Sequence, residues 1–135
     1  MHELTPFLMF CGDQHGKAEE AIERYCSIFQ HSRVVRLDRY GPGDGEPAGT
    51  LRFGVFEIGG YPIRAIDSAA PHRFGFTPAI SLWVECSSDE EIERAAAALA
   101  DGGAMLMPLD SYGFSPKFCW VADRYGVTWQ LNLSA

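Results

Sequence analysis

The stretch DRYGVTWQLNL, residues 123–133, decides how this chain is read. Its opening has turn chemistry: Asp123 is a capping side chain, and Gly126 accepts a backbone angle that other residues resist. From Val127 onward the pattern alternates. Val127, Trp129, Leu131 and Leu133 are apolar, whereas Thr128, Gln130 and Asn132 are polar and uncharged. A period of two is the signature of a half-buried strand. The apolar row is expected to pack on a helix. The polar row then faces the other way, and its hydrogen-bonding groups suit a ligand as well as they suit water.

Working outward from this strand, KFCWVAD (117–123) reads as another strand, SYGFSP (111–116) as a loop and AMLMPL (104–109) as a strand. Upstream of them, SSDEEIERAAAALADGG (87–103) is helical. Ser87 with Glu90, or Ser88 with Glu91, forms a capping box. Ile92, Ala95, Ala96 and Leu99 form a buried stripe, and Gly102-Gly103 ends the helix. TPAISLWVEC (77–86) reads as a strand in which Ser81 and Trp83 share the side of Ala79. Ile80, Leu82 and Val84 share the core side. Trp120 and Trp129 read as core, and Cys119 as a buried thiol.

The first half repeats this order. LTPFLMFC (4–11) is a short apolar strand, and KAEEAIERYCSIF (17–29) has helical period. Residues 32–40 read as a strand, GPGDGEPAG (41–49) as a loop, TLRFGVFEI (50–58) and YPIRAID (61–67) as a hairpin turning at Gly59-Gly60. Strand, helix and three strands, twice over, implies an α+β fold. Its sheets are antiparallel-rich, with the helices packed on one face of each. The expectation is one domain over residues 1–135, with repeats at about 1–68 and 77–135.

Composition limits the function. The chain has 135 residues, 47% hydrophobic and 13% aromatic, enough to bury a core. Its net charge of -7 and scattered basic residues argue against nucleic acid as a partner. No apolar run approaches the ~20 residues of a membrane helix, and MHELTPF does not resemble a secretory leader. Cys11, Cys26, Cys86 and Cys119 are widely spaced with no C-x-x-C pair. They read as reduced thiols of a cytoplasmic protein.

Several residues are candidates for a pocket. Gln130 leads, flanked by Thr128 and Asn132. Ser81 and Trp83 share the same inward parity, and Trp83 offers either a stacking wall for a planar ligand or plain packing surface. Asp67, followed by Ser68 at a strand end, reads as a turn-capping aspartate or as a pocket acid. His72, beside Arg73 in PHRFGF, is a surface histidine or an anion contact. Tyr112 and Phe114 either cover a pocket mouth or seal a core edge. No catalytic residue is identified.

The doubled βαβββ order resembles the vicinal oxygen chelate superfamily, which includes glyoxalase I, bleomycin-resistance proteins and extradiol dioxygenases. Within it, TPFLMF (5–10), GKAEEAIERY (16–25), TLRFGVFEIGG (50–60), AIDS (65–68), FTPAISLWVEC (76–86) and LMPLDSYGFSPKFCWVADRYGVTWQLNL (106–133) resemble the PhnB-like family. Many of its members carry the label 3-demethylubiquinone-9 3-methyltransferase. The resemblance implies cupped sheets with helices outside, usually completed across a homodimer, and a pocket inside each cup. It also implies a divalent metal held by His and Glu on inward strand positions. Here the histidine position falls on Ala79 and the last-strand glutamate position on Gln130, leaving only Asp67, with His2 and Glu3 ahead of the first strand as the remaining donors. No metal and no cofactor are therefore expected. The expected function is metal-free binding of a small organic molecule. The alternative is an enzyme, either a glyoxalase-type lyase or isomerase or the methyltransferase of the family label.

Overall fold

The computed structural model describes all 135 residues and divides them into two compact units, Met1–Gly75 and Phe76–Ala135. The first unit runs β1 (Phe7–Phe10), α1 (Ala18–Ile28), β2 (Arg33–Arg39), β3 (Leu51–Ile58) and β4 (Tyr61–Asp67). The second runs β5 (Ser81–Glu85), α2 (Asp89–Ala100), β6 (Ala104–Tyr112), β7 (Ser115–Ala122) and β8 (Thr128–Leu133). Each unit is thus βαβββ, and the α+β fold holds.

Within the first unit the sheet order is β1-β4-β3-β2, and within the second it is β5-β8-β7-β6. The first strand of each unit lies parallel to the last, and the remaining pairs are antiparallel. α1 carries the chain from β1 at one edge of its sheet to β2 at the other, as α2 does from β5 to β6, and each helix covers one face as it crosses. No helix is long and apolar enough to cross a membrane.

In the first unit Ala18, Ala21, Ile22, Tyr25 and Ile28 are the buried stripe of α1. They meet Phe56, Ile63 and Ala65, which are almost wholly buried. Burying one such large side chain stabilises by about 1.5–3 kcal/mol. Gly54 allows the close approach, because a Cβ there would lie 2.7 Å from Leu51 and 3.1 Å from Ile22. The β3–β4 turn is Gly59-Gly60, with φ of +58° and +89°. Positive angles at both positions make the tight turn that suits twisted strands.

In the second unit Ile92, Ala95, Ala96 and Leu99 of α2 are buried, together with Cys119, Val121, Trp129 and Leu131 of the sheet. Ser88 is the N-cap: its Oγ accepts the Glu91 N–H at 3.1 Å, while the Glu91 carboxylate accepts the Ser87 N–H at 2.6 Å. That settles the capping pair as Ser88 and Glu91. Gly103 immediately precedes β6, beside the end of β7. A Cβ there would stand 2.1 Å from the Ala122 carbonyl oxygen.

Three expectations need correction. Residues 111–116 are not a loop: β6 continues through Tyr112, the chain turns at Gly113 and Phe114, and β7 begins at Ser115. The register shifts along β6 and β7 explain why simple alternation did not reveal this. β5 begins at Ser81 and not at residue 77, since Pro78 and Ala79 form a turn. Trp120 is not on the helix-covered side. It pairs with Gln130, which puts both on the opposite face.

Candidate functional site

Strand partners that stand side by side point to the same face, so the register defines the uncovered face of the second sheet. Across β5, β8 and β7 it forms three rows. Ser81, Thr128 and Ala122 make the first, Trp83, Gln130 and Trp120 the second, and Glu85, Asn132 and Phe118 the third. The alternation of Thr128, Gln130 and Asn132 therefore sorts as expected, with Trp129 and Leu131 on the helix side. Gln130 lies between two indoles.

The polar groups of the first row are satisfied among themselves. Thr128 Oγ1 donates to the Ile80 carbonyl at 2.7 Å. Its one proton is thereby committed, so the Ser81 hydroxyl, 2.7 Å away, donates to Thr128 Oγ1. Ser81 Oγ in turn accepts the Trp120 indole N–H at 3.1 Å. This chain fixes the Trp120 ring and leaves Thr128 buried, at 2% exposure.

The third row is anchored by Asn132, also buried. Its Nδ2 donates to both Glu85 oxygens, at 2.9 and 3.2 Å, and its Oδ1 accepts from the Ser115 hydroxyl. Glu85 also accepts the Trp83 indole N–H at 3.0 Å and the Ser134 hydroxyl at 3.2 Å. These donors, Asn132 first, hold the Glu85 carboxyl below its ordinary range.

Gln130 is half-buried and takes no part in either network. Trp83 is 52% exposed, its ring held by the bond to Glu85. Phe118 lies 5.8 Å from Trp83, 5.8 Å edge-on from Tyr112 and 5.0 Å edge-on from Phe114. Tyr112 stacks on Phe114 and donates its hydroxyl to the Pro108 carbonyl at 2.7 Å. Phe114, at the turn, is 66% exposed. The result is an aromatic wall beside one available amide.

So the structure brings Ser81, Trp83, Thr128, Gln130, Asn132, Tyr112 and Phe114 onto one unit, and adds Glu85, Phe118 and Trp120. Glu85 was within reach of sequence reasoning, because the period of two from Ser81 and Trp83 continues onto it. Phe118 and Trp120 needed the β7–β8 register, which no local pattern gives.

Asp67 and His72 belong to the first unit. Asp67 is 1% exposed and works as a remote cap. One oxygen accepts the backbone N–H of Gly16 at 2.8 Å and of Ala18 at 3.2 Å, at the start of α1. The other accepts Leu51 N–H at 2.9 Å. Lys17, at the N-cap position, supplies no side-chain cap of its own. His72 Nε2 is 3.1 Å from Ser68 Oγ, and its ring tilts against Phe74 at 5.0 Å. Ser68 and His72 border a hollow of about 250 Å³ that Gly12 and His15 also line. The first sheet's uncovered face differs in charge: Arg36 and Arg64 sit over the Phe53 ring at 5.3 and 5.2 Å.

A chelating metal centre needs three or four His and carboxylate donors. Position 79 is a methyl group in a turn, position 130 is a neutral amide, and the Asp67 oxygens are engaged by backbone N–H groups. No three His, Cys, Asp or Glu side chains of the chain gather to hold an ion. These residues do not fit the metal. The glycine-rich 41–49 segment likewise joins the antiparallel strands β2 and β3. It closes on itself through Gly49 N–H to Tyr40 O at 2.8 Å, which does not fit a nucleotide-holding loop of a parallel sheet.

Two βαβββ units, each a mixed four-stranded sheet with a helix on one face, define the glyoxalase/bleomycin-resistance class of fold. Within that class, the sequence matches the 3-demethylubiquinone-9 3-methyltransferase family over residues 2–132, and the chain belongs to that family. It is similar to a PhnB protein from Bacillus cereus, with 46% identity over 98% of this chain and 100% of that one, at a TM-score of 0.93. It is also similar to protein PA1353 from Pseudomonas aeruginosa, with 25% identity over 99% and 98% of the two chains and a TM-score of 0.82. The fold extends to the fosfomycin resistance protein FosX from Mesorhizobium loti, at 14% identity over 98% and 91% of the chains and a TM-score of 0.59. No curated protein matches.

Proposed function

We propose that this protein binds a small organic molecule on the uncovered face of its second sheet, without a metal and without a chemical step. The observation that carries this reading is the division of labour on that face. Ser81, Thr128 and Asn132 are tied into internal hydrogen bonds, while the Gln130 amide and the Trp83 ring are left accessible. Apolar walls supply affinity, and a two-way amide fixes orientation. The face holds no acid–base pair of the kind that proton transfer requires.

A thermal-shift screen of aromatic metabolites and drugs tests the reading, since a ligand at a hundred times its Kd stabilises by about 2.7 kcal/mol. Hits whose stabilisation disappears in Gln130→Leu support it. A screen without hits, or hits indifferent to Gln130→Leu, overturns it.

Half-exposed Phe7, on the uncovered face of the first sheet, supports a homodimer that covers it. All four cysteines are free thiols, which supports a reducing, cytoplasmic setting. A second reading is an enzyme, either of glyoxalase type or the methyltransferase of the family description. The approach of Ser68 Oγ to His72 Nε2 beside the hollow favours it. Saturable binding of S-adenosylmethionine would favour the methyltransferase form.

A further inference from the structure

We infer that the ligand of the second unit is a flat organic cation that stacks on Trp83 beside the Glu85 carboxylate; this rests on the binding reading above. Three observations converge on it.

The first is charge. Residues 76–135 contain three basic side chains, Arg94, Lys117 and Arg124, against eight acidic ones. None of the three meets a ligand on the uncovered face. Lys117 is held by Asp89 and Glu93 of α2, both at 2.7 Å. Arg124 donates to the Asp101 carbonyl, and Arg94 is on α2. The uncovered face, in contrast, carries Glu85 and Asp110, the latter paired with Phe118.

The second is how Glu85 is held. Its partners are the indole of Trp83, the amide of Asn132 and the hydroxyl of Ser134. Neutral donors orient a carboxylate and keep it ionised without cancelling its charge. The field of Glu85 is therefore still available to a cation.

The third is the ring itself. An indole offers the most electron-rich face of the three aromatic side chains, and a cation over it is attracted by the ring quadrupole. Donation of the Trp83 N–H to a carboxylate pushes further electron density into the ring. The half-exposed Trp83 face, next to Phe118 and the exposed Phe114, presents this surface without a guanidinium above it. The first unit differs there, because arginines already occupy the face of Phe53.

The test is isothermal calorimetry of the full chain with three two-ring probes of matched shape: N-methylquinolinium, quinoline and 2-naphthoate. The expected order is cation tightest and anion weakest. Glu85→Gln should weaken the cation roughly five- to tenfold and leave quinoline unchanged, whereas Trp83→Ala should weaken both. Trp83 is exposed enough for both variants to fold, and thermal unfolding checks this. Equal or tighter binding of quinoline or 2-naphthoate, or an unchanged cation affinity in Glu85→Gln, overturns the cation inference while the binding reading stands. No binding of any of the three probes overturns the cation inference, and a screen without hits removes the reading beneath it as well.

Discussion

The indole N–H of Trp83 donates to the carboxylate of Glu85, 3.0 Å away and two residues along the same strand. This bond ties the orientation of an exposed ring to the charge state of an exposed acid. The hydrogen bonds from Asn132, Trp83 and Ser134 lower the Glu85 pKa. A lowered pKa favours the ionised form, so the stability Glu85 contributes is present above its unfolded pKa. It is lost only as pH falls through the lower, folded value. Affinity for N-methylquinolinium should therefore stay flat from pH 8 to about 5 and fall only below the ordinary glutamate range, near 4.3. Calorimetry across that range checks it. A loss of affinity already at pH 6 would point to another group.

Asp67 should matter for stability and not for binding. Its carboxylate satisfies the start of α1 and the first backbone N–H of β3 from a buried position. In Asp67→Asn the charge is gone and an amide N–H faces a backbone donor. The expected cost is about 3 kcal/mol, from charge-assisted bonds lost and a buried donor left unpaired. Urea unfolding measures it. A variant of unchanged stability that no longer binds ligand would instead make Asp67 a site acid.

Neighbouring residues on one face should separate cleanly. Ser81→Ala leaves the Trp120 N–H without its acceptor and Thr128 without its donor, and should cost about 1–3 kcal/mol. Gln130→Leu breaks no internal bond and should change stability by less than about 0.5 kcal/mol. It should nevertheless remove ligand-induced stabilisation. Thermal melts with and without ligand distinguish the two.

The contrast between these residues marks what the sequence could and could not reveal. Alternation placed Thr128, Gln130 and Asn132 on one side correctly, because a strand has only two faces. It did not tell which of the three is free. That depends on Ile80, Ser81, Ser115 and Glu85, which approach from other strands. Element order was legible from capping and turn chemistry: Ser88 with Glu91, and Gly59-Gly60. Strand ends were less so. Tyr112 extends β6 past the glycine-containing stretch, and Pro78-Ala79 delays β5, since cross-strand pairing outweighs local preference at both places. Trp120 looked like core because tryptophan usually is, yet its pairing with Gln130 sends it to the uncovered face.

The buried thiols give an alkaline test. Desolvation raises Cys86 to about 12 and Cys119 to about 11. In the unfolded chain they titrate near 8.5. A raised folded pKa means the folded state holds protons that the unfolded state releases. Stability from these groups is therefore complete below about pH 8.5 and falls as pH rises toward the folded values. The urea midpoint should decrease between pH 9 and 11, and Cys86→Ala with Cys119→Ala should flatten that slope.

The central claim is that the uncovered face of the second sheet holds a ligand at Trp83 and Gln130. The most direct measurement is a ¹⁵N NMR titration of the protein with N-methylquinolinium. The account predicts saturable shifts in the Trp83 indole and the Gln130 side-chain amide. Shifts confined to Gly12, His15, Ser68 and His72 would contradict it, as would a spectrum that does not move.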